Sequence, residues 1–417
     1  MARTSILLCL IAVGWIQAAA PPTGFALRDG DTVVFLGDSI TAARTYSKYI
    51  ETYTLLRFPQ RRVRFINAGW GGDTAAGGLR RLERDVLRHR PGVVIVAYGM
   101  NDIGWGVWAD AAHKKTYLDS VAGIIAACQK RGVRVFLCSA AITAAPPEQS
   151  EKDFLQRMCD EGLALARARG AGTIDVQREM RAVQHRVLAW NARFPGKESL
   201  HAADGVHLND LGQLAMAFAI LRGLGAPAEV SSVRLDARRG KVVEASGCGV
   251  SQVSVEEGRV GFTRLDHGLP FNHGLFFALQ YRFIPLPETL NRYMLAIDGL
   301  APGRWEVRAD EMLLGTYTAD QLATGVNVAS ATGNAWQPGG PWAAQADMVR
   351  SLTEARHQLA LAELHAAMWL PGQSVTTELE GQAERLHTEL EQAQRTAARP
   401  RPYRFTLTRS KEKGPGS

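Results

Sequence analysis

The sequence has little of several features that mark specialised classes of protein. Only 5 of its 417 residues are cysteine, and no two of them are spaced as C-x-x-C, so a zinc site is unsupported. No internal repeat occurs, and hydrophobic residues (46%) and charged residues (21%) are present in ordinary proportions. These proportions exclude a mainly disordered chain, a collagen and a long coiled coil. The length predicts two to three domains, whose cores need no disulfide or metal.

Long hydrophobic runs are also rare, and the one of note lies at the N-terminus. Arg3 precedes an apolar run over residues 6–16, and three small alanines ending at Ala20 follow it. This order is typical of a secretory signal peptide, here residues 1–20 with cleavage near Ala20. A run of 11 residues is too short to cross roughly 30 Å of hydrocarbon. We therefore expect a secreted or periplasmic protein without stable membrane insertion.

The formal net charge is +7, and much of the excess lies near the C-terminus. A basic patch can bind nucleic acid, but no nucleic-acid motif accompanies this one. Residues 399–417 are therefore predicted to be a solvated or frayed basic tail, with no nucleic-acid partner. The basic residues concerned are Arg395, Arg399, Arg401, Arg404, Arg409, Lys411 and Lys413.

Four cysteines follow the signal peptide: Cys128, Cys138, Cys159 and Cys248. Export would permit one or two disulfides, and the sequence leaves their pairing open. Cys128 and Cys138 lie in apolar stretches, which favours buried thiols that pack as small hydrophobic groups.

Residues 32–224 alternate short β-branched runs with segments of helical periodicity. Continuous apolar strands separated by helices predict a parallel sheet covered on both faces. Right-handed crossovers make this a three-layer, doubly wound α/β fold over residues 25–224, in which ligands bind outside the carboxyl ends of the strands. The predicted strands are 32–36, 63–66, 93–97, 133–137 and 173–176, and the predicted helices lie near 46–58, 77–90, 112–131, 151–169, 178–191 and 210–223.

The character of the sequence changes after residue 224. Residues 229–340 are rich in short strands and glycine turns, and residues 341–398 predict a helical pair around a break at Pro371 and Gly372. The apolar stripe of this pair indicates packing, against either the neighbouring strands or the N-terminal domain, rather than a cofactor site. No motif here points to chemistry, so the region is either an accessory binding module or a structural cover.

Four short segments carry side chains suited to chemistry. Gly37–Thr41 places Ser39 at a strand-to-helix turn, and Asn67–Thr74 supplies glycines whose N–H groups can face negative charge. Tyr98–Asp102 places an amide after the third strand, and Asp204–Asn209 sets an Asp and a His three residues apart. Each segment alone has an ordinary alternative: a helix cap, a glycine turn, a turn amide, and a surface pair or metal ligand.

Together, in this order and spacing, the four segments resemble the sequence blocks of the SGNH (GDSL-type) hydrolase superfamily. The resemblance covers about residues 30–224 and is closest in style to secreted carbohydrate esterases. It implies a flavodoxin-like domain in which Ser39 is the nucleophile, His207 is the general base and Asp204 orients that base. A serine needs such a base before it can attack an ester.

The resemblance also implies an oxyanion hole and no cofactor or metal. Its donors would be the backbone N–H groups of Ser39 and Gly72 and the side chain of Asn101. Gly72 is chosen because the family's glycine directly precedes an Asp-Thr pair. The first block reads G-D-S-I-T rather than G-D-S-L, a departure that is common in the carbohydrate-esterase branches of the superfamily.

The expected reaction is hydrolysis of a carboxylic ester, first of all an acetyl ester on a carbohydrate. Trp70, Trp105 and Trp108 flank the second and third blocks, where they could stack on sugar rings or be buried structural residues. His201 is expected to be a loop residue. A lipid esterase, lysophospholipase or thioesterase with the same triad is the alternative, since the sequence does not identify the acyl group.

Two further alternatives belong to other classes. One is a non-catalytic glycan-binding protein on a hydrolase fold, against which the intact set of site residues argues. The other is a metal phosphoesterase that uses Asp38, Asp204 and His207, which activity in the presence of EDTA would reject. The sequence leaves the oligomeric state open.

Overall fold

The computed structural model describes residues 24–195, 197–334, 336–337, 339–369 and 374–410. The predicted signal peptide, the helix break at Pro371 and Gly372, and the basic residues Lys411 and Lys413 lie outside the described residues. Within the described ranges, no helix combines the length and the apolar character that crossing a membrane requires.

Five parallel strands form the sheet of the N-terminal part. They are β1 (Thr32–Gly37), β2 (Arg64–Gly69), β3 (Val93–Ala97), β4 (Arg134–Cys138) and β5 (Gly172–Ile174). Their order in the sheet is β2-β1-β3-β4-β5, which is the flavodoxin-like order. All five residues of β3 are buried, because a sheet covered on both faces buries every side chain of a central strand. The predicted doubly wound α/β fold is confirmed.

Helices cover both faces of this sheet. They are α1 (Ser39–Ala42), α2 (Thr45–Arg57), α3 (Ala75–Asp85), α4 (Ala111–Gln129), α5 (Pro147–Ser150), α6 (Phe154–Ala168), α7 (Val176–Arg193) and α8 (Asp210–Gly223). α2, α7 and α8 pack on one face, and α3, α4 and α6 on the other. Alternate residues of β1 divide between these layers: Val33 and Phe35 join the first core, Val34 and Leu36 the second.

The C-terminal region contains two further sheets. Its strands are β6 (Glu229–Asp236), β7 (Lys241–Ser246), β8 (Cys248–Glu256), β9 (Arg259–Asp266), β10 (Arg292–Asp298), β11 (Arg304–Ala309), β12 (Met312–Thr318), β13 (Val326–Asn327) and β14 (Tyr403–Arg409). They form sheets of order β13-β10-β6-β7 and β12-β11-β14-β9-β8. Short helices α9 (Leu286–Thr289) and α10 (Ala319–Thr324) lie between strands.

The expectation of a frayed basic tail over residues 399–417 is wrong for residues 403–409. These residues form β14, which pairs antiparallel with both β9 and β11 in the middle of a sheet. Tyr403, Phe405 and Leu407 are fully buried, whereas Arg404 and Arg409 are exposed. Apolar side chains therefore alternate with Arg404 and two threonines along the strand, and both arginines face solvent.

The predicted helical pair is a hairpin of α11 (Trp342–Trp369) and α12 (Ser374–Ala397). The hairpin lies between β13 and β14 in the chain, and α11 packs against α2 of the α/β sheet domain. Arg64, on the edge strand β2, forms ion pairs with Glu384 and Glu391 of α12. The hairpin uses both of the packing surfaces that the sequence left open, because Trp342 at the start of α11 also packs against Tyr403 and Phe405 of β14.

The four cysteines among the described residues are all free thiols. Cys128, Cys138, Cys159 and Cys248 are buried, and none of these four is paired in a disulfide. The two in apolar stretches, Cys128 and Cys138, contribute to opposite cores of the α/β domain.

Candidate active site

Ser39 begins α1 directly after β1, at the carboxyl edge of the sheet. Asp38 caps this short helix, because its Oδ1 accepts a hydrogen bond from the Ile40 N–H at 3.0 Å. Gly37 makes the turn possible, since a Cβ on it would lie 2.1 Å from Oγ1 of Thr41. The local sequence therefore places a half-buried serine hydroxyl at the edge where ligands of such sheets bind.

The structure joins the side chains of Ser39, His207 and Asp204 in one chain of hydrogen bonds. Oγ of Ser39 lies 2.9 Å from Nε2 of His207, and Nδ1 of His207 lies 2.6 Å from Oδ2 of Asp204. Oδ1 of Asp204 accepts the backbone N–H groups of Val206 and His207, each at 2.9 Å. Hydrogen bonds from the His207 ring and from these N–H groups lower the pKa of Asp204 to about 2. The ionised carboxylate keeps the ring proton on Nδ1, which leaves Nε2 free to accept.

Gly72 and Asn101 follow β2 and β3, the two strands that flank β1 in the sheet. Gly72 has a φ of +71°, and no heavy atom lies within 4 Å of the position that a Cβ would take. Nδ2 of Asn101 donates to the carbonyl oxygen of Asp73, the residue after Gly72, at 2.9 Å. This bond holds the Asn101 amide beside the glycine loop.

Sequence reasoning missed Arg81, a mostly buried side chain on α3. Its guanidinium donates to the carboxylate of Asp73 at 2.8 Å and to the phenol oxygen of Tyr98 at 2.8 Å. It also donates to the carbonyl oxygens of Ala68 at 2.7 Å and Gly37 at 3.2 Å. One side chain thus links the ends of β1, β2 and β3. The Arg-Arg pair in the sequence carried no signal for this role, because such pairs are usually solvated.

The three tryptophans named from the sequence are exposed rather than buried. Trp70 is 38% exposed, Trp105 49% and Trp108 54%. The Trp105 ring meets the His207 ring edge to face, with 5.6 Å between centroids, whereas Trp108 stacks on His113. Of the three, Trp105 contacts a residue of the hydrogen-bonded chain.

Two carboxyl groups near the site are buried. Burial raises the pKa of Asp38 to about 6 and that of Asp102 to about 7. Asp38 caps α1, and Oδ1 of Asp102 accepts the Ala75 N–H at the start of α3 at 2.9 Å. Among the described residues, no group of three or more His, Cys, Asp and Glu side chains is arranged to hold a metal ion.

A small cavity of about 10 Å³ adjoins the residues that flank Ser39 and His207. Such a volume holds a group about the size of one water molecule. The residues that line it include Asp38, Ile40, Met100, Ile142 and Val206.

His201 lies away from the hydrogen-bonded chain. It is buried, and its Nε2 donates to the carbonyl oxygen of Ile142 at 2.9 Å. Burial lowers its pKa, so the ring stays neutral and braces the loop that carries Asp204 and His207.

Known proteins share both the sequence pattern and the architecture. Residues 35–215 match the GDSL-like lipase/acylhydrolase family. An acetylxylan esterase from Geobacillus stearothermophilus is 24% identical over 219 residues, which cover 48% of this chain and 96% of that protein.

Two solved structures extend the comparison. The structure of a gut microbial diltiazem-metabolizing enzyme covers 94% of this chain and 100% of its own, with 21% identity and a TM-score of 0.78. A crystal structure of an acetylxylan esterase from Geobacillus stearothermophilus covers 48% of this chain and 96% of its own, with 19% identity and a TM-score of 0.41. The first of these shows that the α/β sheet and the C-terminal region together form a known architecture.

Proposed function

The chain is an ester hydrolase whose residues 35–215 form a domain of the GDSL-like lipase/acylhydrolase family, within the SGNH superfamily, and we propose that it is a secreted serine esterase that deacetylates a carbohydrate. The observation that supports this most is the hydrogen-bonded chain from Ser39 through His207 to Asp204. A serine hydroxyl is a weak nucleophile until a positioned base removes its proton. The three side chains meet that requirement without a cofactor or metal.

In the proposed first half-reaction, Oγ of Ser39 attacks the ester carbonyl carbon while Nε2 of His207 takes the hydroxyl proton. The ionised Asp204 stabilises the imidazolium that forms. The tetrahedral intermediate collapses when His207 returns the proton to the leaving alcohol, and the acyl group stays on Ser39. In the second half-reaction water attacks the acyl-enzyme with the same base, which releases the acid and restores the serine.

The developing negative charge on the carbonyl oxygen requires donors aimed at it. In the proposed mechanism these are the backbone N–H groups of Ser39 and Gly72 and the amide of Asn101. Gly72 suits this role because its surroundings are open and its φ of +71° is readily adopted by glycine. Losing one such donor typically lowers kcat by roughly 10²–10³.

Two observations favour an acetyl group on a sugar. The chain is similar to an acetylxylan esterase along nearly the whole length of that enzyme. Exposed tryptophans beside the site offer flat apolar faces, which suit sugar rings.

Two assays test this function. A serine-reactive phosphonate should label the wild type stoichiometrically and leave Ser39→Ala and His207→Ala unlabelled. On an ester panel the wild type should release acetate from acetylated xylan and leave long-chain esters intact. Ser39→Ala should hydrolyse none of these esters. Labelling that persists in Ser39→Ala would refute the triad, and a preference for long-chain esters would favour the lipid esterase.

A further inference from the structure

Trp105 stands in a backbone conformation that tryptophan rarely adopts. Gly104, Trp105 and Gly106 follow one another with φ values of 51°, 58° and 96°. Glycine occupies this left-handed region readily, whereas a residue with a Cβ is strained there. A tryptophan between two glycines at such a turn therefore needs a reason beyond the turn itself.

The fold holds this strained turn in place. The backbone N–H of Trp105 donates to the carbonyl oxygen of Met100 at 3.1 Å, and that of Trp108 to Ile103 at 3.0 Å. The Trp108 ring also packs directly over Gly104, where a Cβ would lie 2.5 Å from the ring. These contacts hold the backbone from which the Trp105 indole projects.

The indole N–H points at Asn101. Nε1 of Trp105 donates to Oδ1 of Asn101 at 2.9 Å, and indole nitrogen is a donor only. The amide oxygen of Asn101 must therefore face Trp105, and its NH₂ group must face away. One N–H of that group meets the carbonyl oxygen of Asp73, which leaves the other available to a ligand.

The same ring also borders the base. Its edge-to-face contact with His207 places one aromatic side chain against both the candidate oxyanion donor and the candidate base. An Asn101 amide turned by 180° would present its oxygen to the developing negative charge, which repels it.

We propose that Trp105 is a positioning residue of the active site, whose indole N–H fixes the Asn101 amide with its NH₂ group toward the oxyanion. This inference rests on the proposed function, because it assigns Asn101 to the oxyanion hole. It differs from a sugar-stacking role for Trp105, which would change substrate binding rather than turnover.

The first test uses the variant Trp105→Phe, which keeps an aromatic ring and removes the indole N–H donor. The substrate is 4-nitrophenyl acetate, which has no sugar ring. We expect kcat to fall about 10-fold with KM within twofold of the wild type. In an Asn101→Ala background the same change should alter kcat by less than twofold, because the amide to be oriented is gone. Trp336→Phe, an exposed tryptophan of the C-terminal region, should leave kcat unchanged.

The second test uses Trp105→Gly, which relieves the backbone strain and removes the indole. We expect its melting temperature to equal or exceed that of the wild type, while kcat falls at least as far as in Trp105→Phe. A tryptophan with a merely structural role would give the reverse, a lower melting temperature in step with lost activity.

Four outcomes would overturn the inference: an unchanged kcat in Trp105→Phe, an effect on KM alone, an equal loss of kcat in the Asn101→Ala background, or a lower melting temperature in step with lost activity in Trp105→Gly. The proposed function fails separately, by full activity in Ser39→Ala. If activity depends on Ser39 but kcat is unchanged in Trp105→Phe, only the positioning role of Trp105 is rejected.

Discussion

One histidine ring transfers the proton in the proposed reaction, so turnover should follow the charge of that ring. Nε2 of His207 can accept the Ser39 proton only while it is unprotonated. Asp204, whose pKa is lowered to about 2, stays ionised at all higher pH and adds no second ionisation. We expect kcat/KM to fall as the pH is lowered from roughly pH 8 to pH 5 and the ring takes up a proton.

A pH profile on a small acetyl ester at constant ionic strength checks this prediction. Circular dichroism at each pH separates loss of the base from loss of the fold. A profile that stays flat through this range would contradict a histidine base.

Residues whose neighbours are set by a motif could be placed from the sequence, and residues whose neighbours are set by packing could not. Asp204 and His207 are three residues apart, and Ser39 follows a strand whose end is fixed by the sheet, so their meeting could be expected. Arg81 contacts groups from three different strand ends, and no local spacing encodes that arrangement. The role of Trp105 depends on backbone angles that a sequence does not display.

At the scale of elements, a buried polar cluster fastens the helical hairpin to α2. Glu51 of α2 accepts hydrogen bonds from Arg356 and His357 of α11 and from Gln394 of α12, the last at 2.8 Å. Burial alone would raise the pKa of Glu51, but Arg356 and His357 outweigh it and lower that pKa to about 2. Arg356 also donates to the carbonyl oxygen of Phe65 at 2.9 Å, so the hairpin covers the edge strand β2.

Replacing Glu51 with Gln should destabilise the protein strongly. The change leaves the guanidinium of Arg356 buried without its counter-charge, a loss that typically costs about 3–5 kcal/mol. Denaturant titration should show this loss in the free energy of unfolding. The control is Glu354→Gln, which breaks a partly exposed pair with Lys48 and should cost less than about 1 kcal/mol. Equal effects in the two variants would contradict a special role for the cluster.

Parallel strands were predictable in a way that β14 was not. The central strands β1, β3 and β4 of the α/β sheet are buried on both faces and appear as almost unbroken apolar runs. In β14, arginine and threonine alternate with Tyr403, Phe405 and Leu407, and the concentration of positive charge concealed the two-residue period. In that segment the alternation of apolar and polar side chains, rather than the net charge, indicates a strand.

At the scale of the whole molecule, β14 connects the last part of the chain to strands far earlier in the sequence. Phe405 of β14 is fully buried and stacks on Phe262 of β9, with 5.1 Å between ring centroids. It also stacks with Trp342 at the start of α11. Phe405 therefore contributes both to the packing of the sheet and to the position of the hairpin.

Replacing Phe405 with Ala should remove about 3–5 kcal/mol from the free energy of unfolding, the usual cost of truncating a buried phenylalanine. Thermal melting should show a clear drop for Phe405→Ala, and none for Thr408→Ala on the exposed side of the same strand. A melting temperature unaffected by Phe405→Ala would mean that β14 contributes little to the stability of the region.

The position of β14 also sets an order of events during synthesis. The ribosome makes this strand after every other strand of its sheet, so the sheet cannot close before residues 403–409 have been synthesised. A chain terminated before Tyr403 would leave β9 and β11 each with an open hydrogen-bonding edge, which invites aggregation. Synthesis of β14 is therefore the step that closes this sheet.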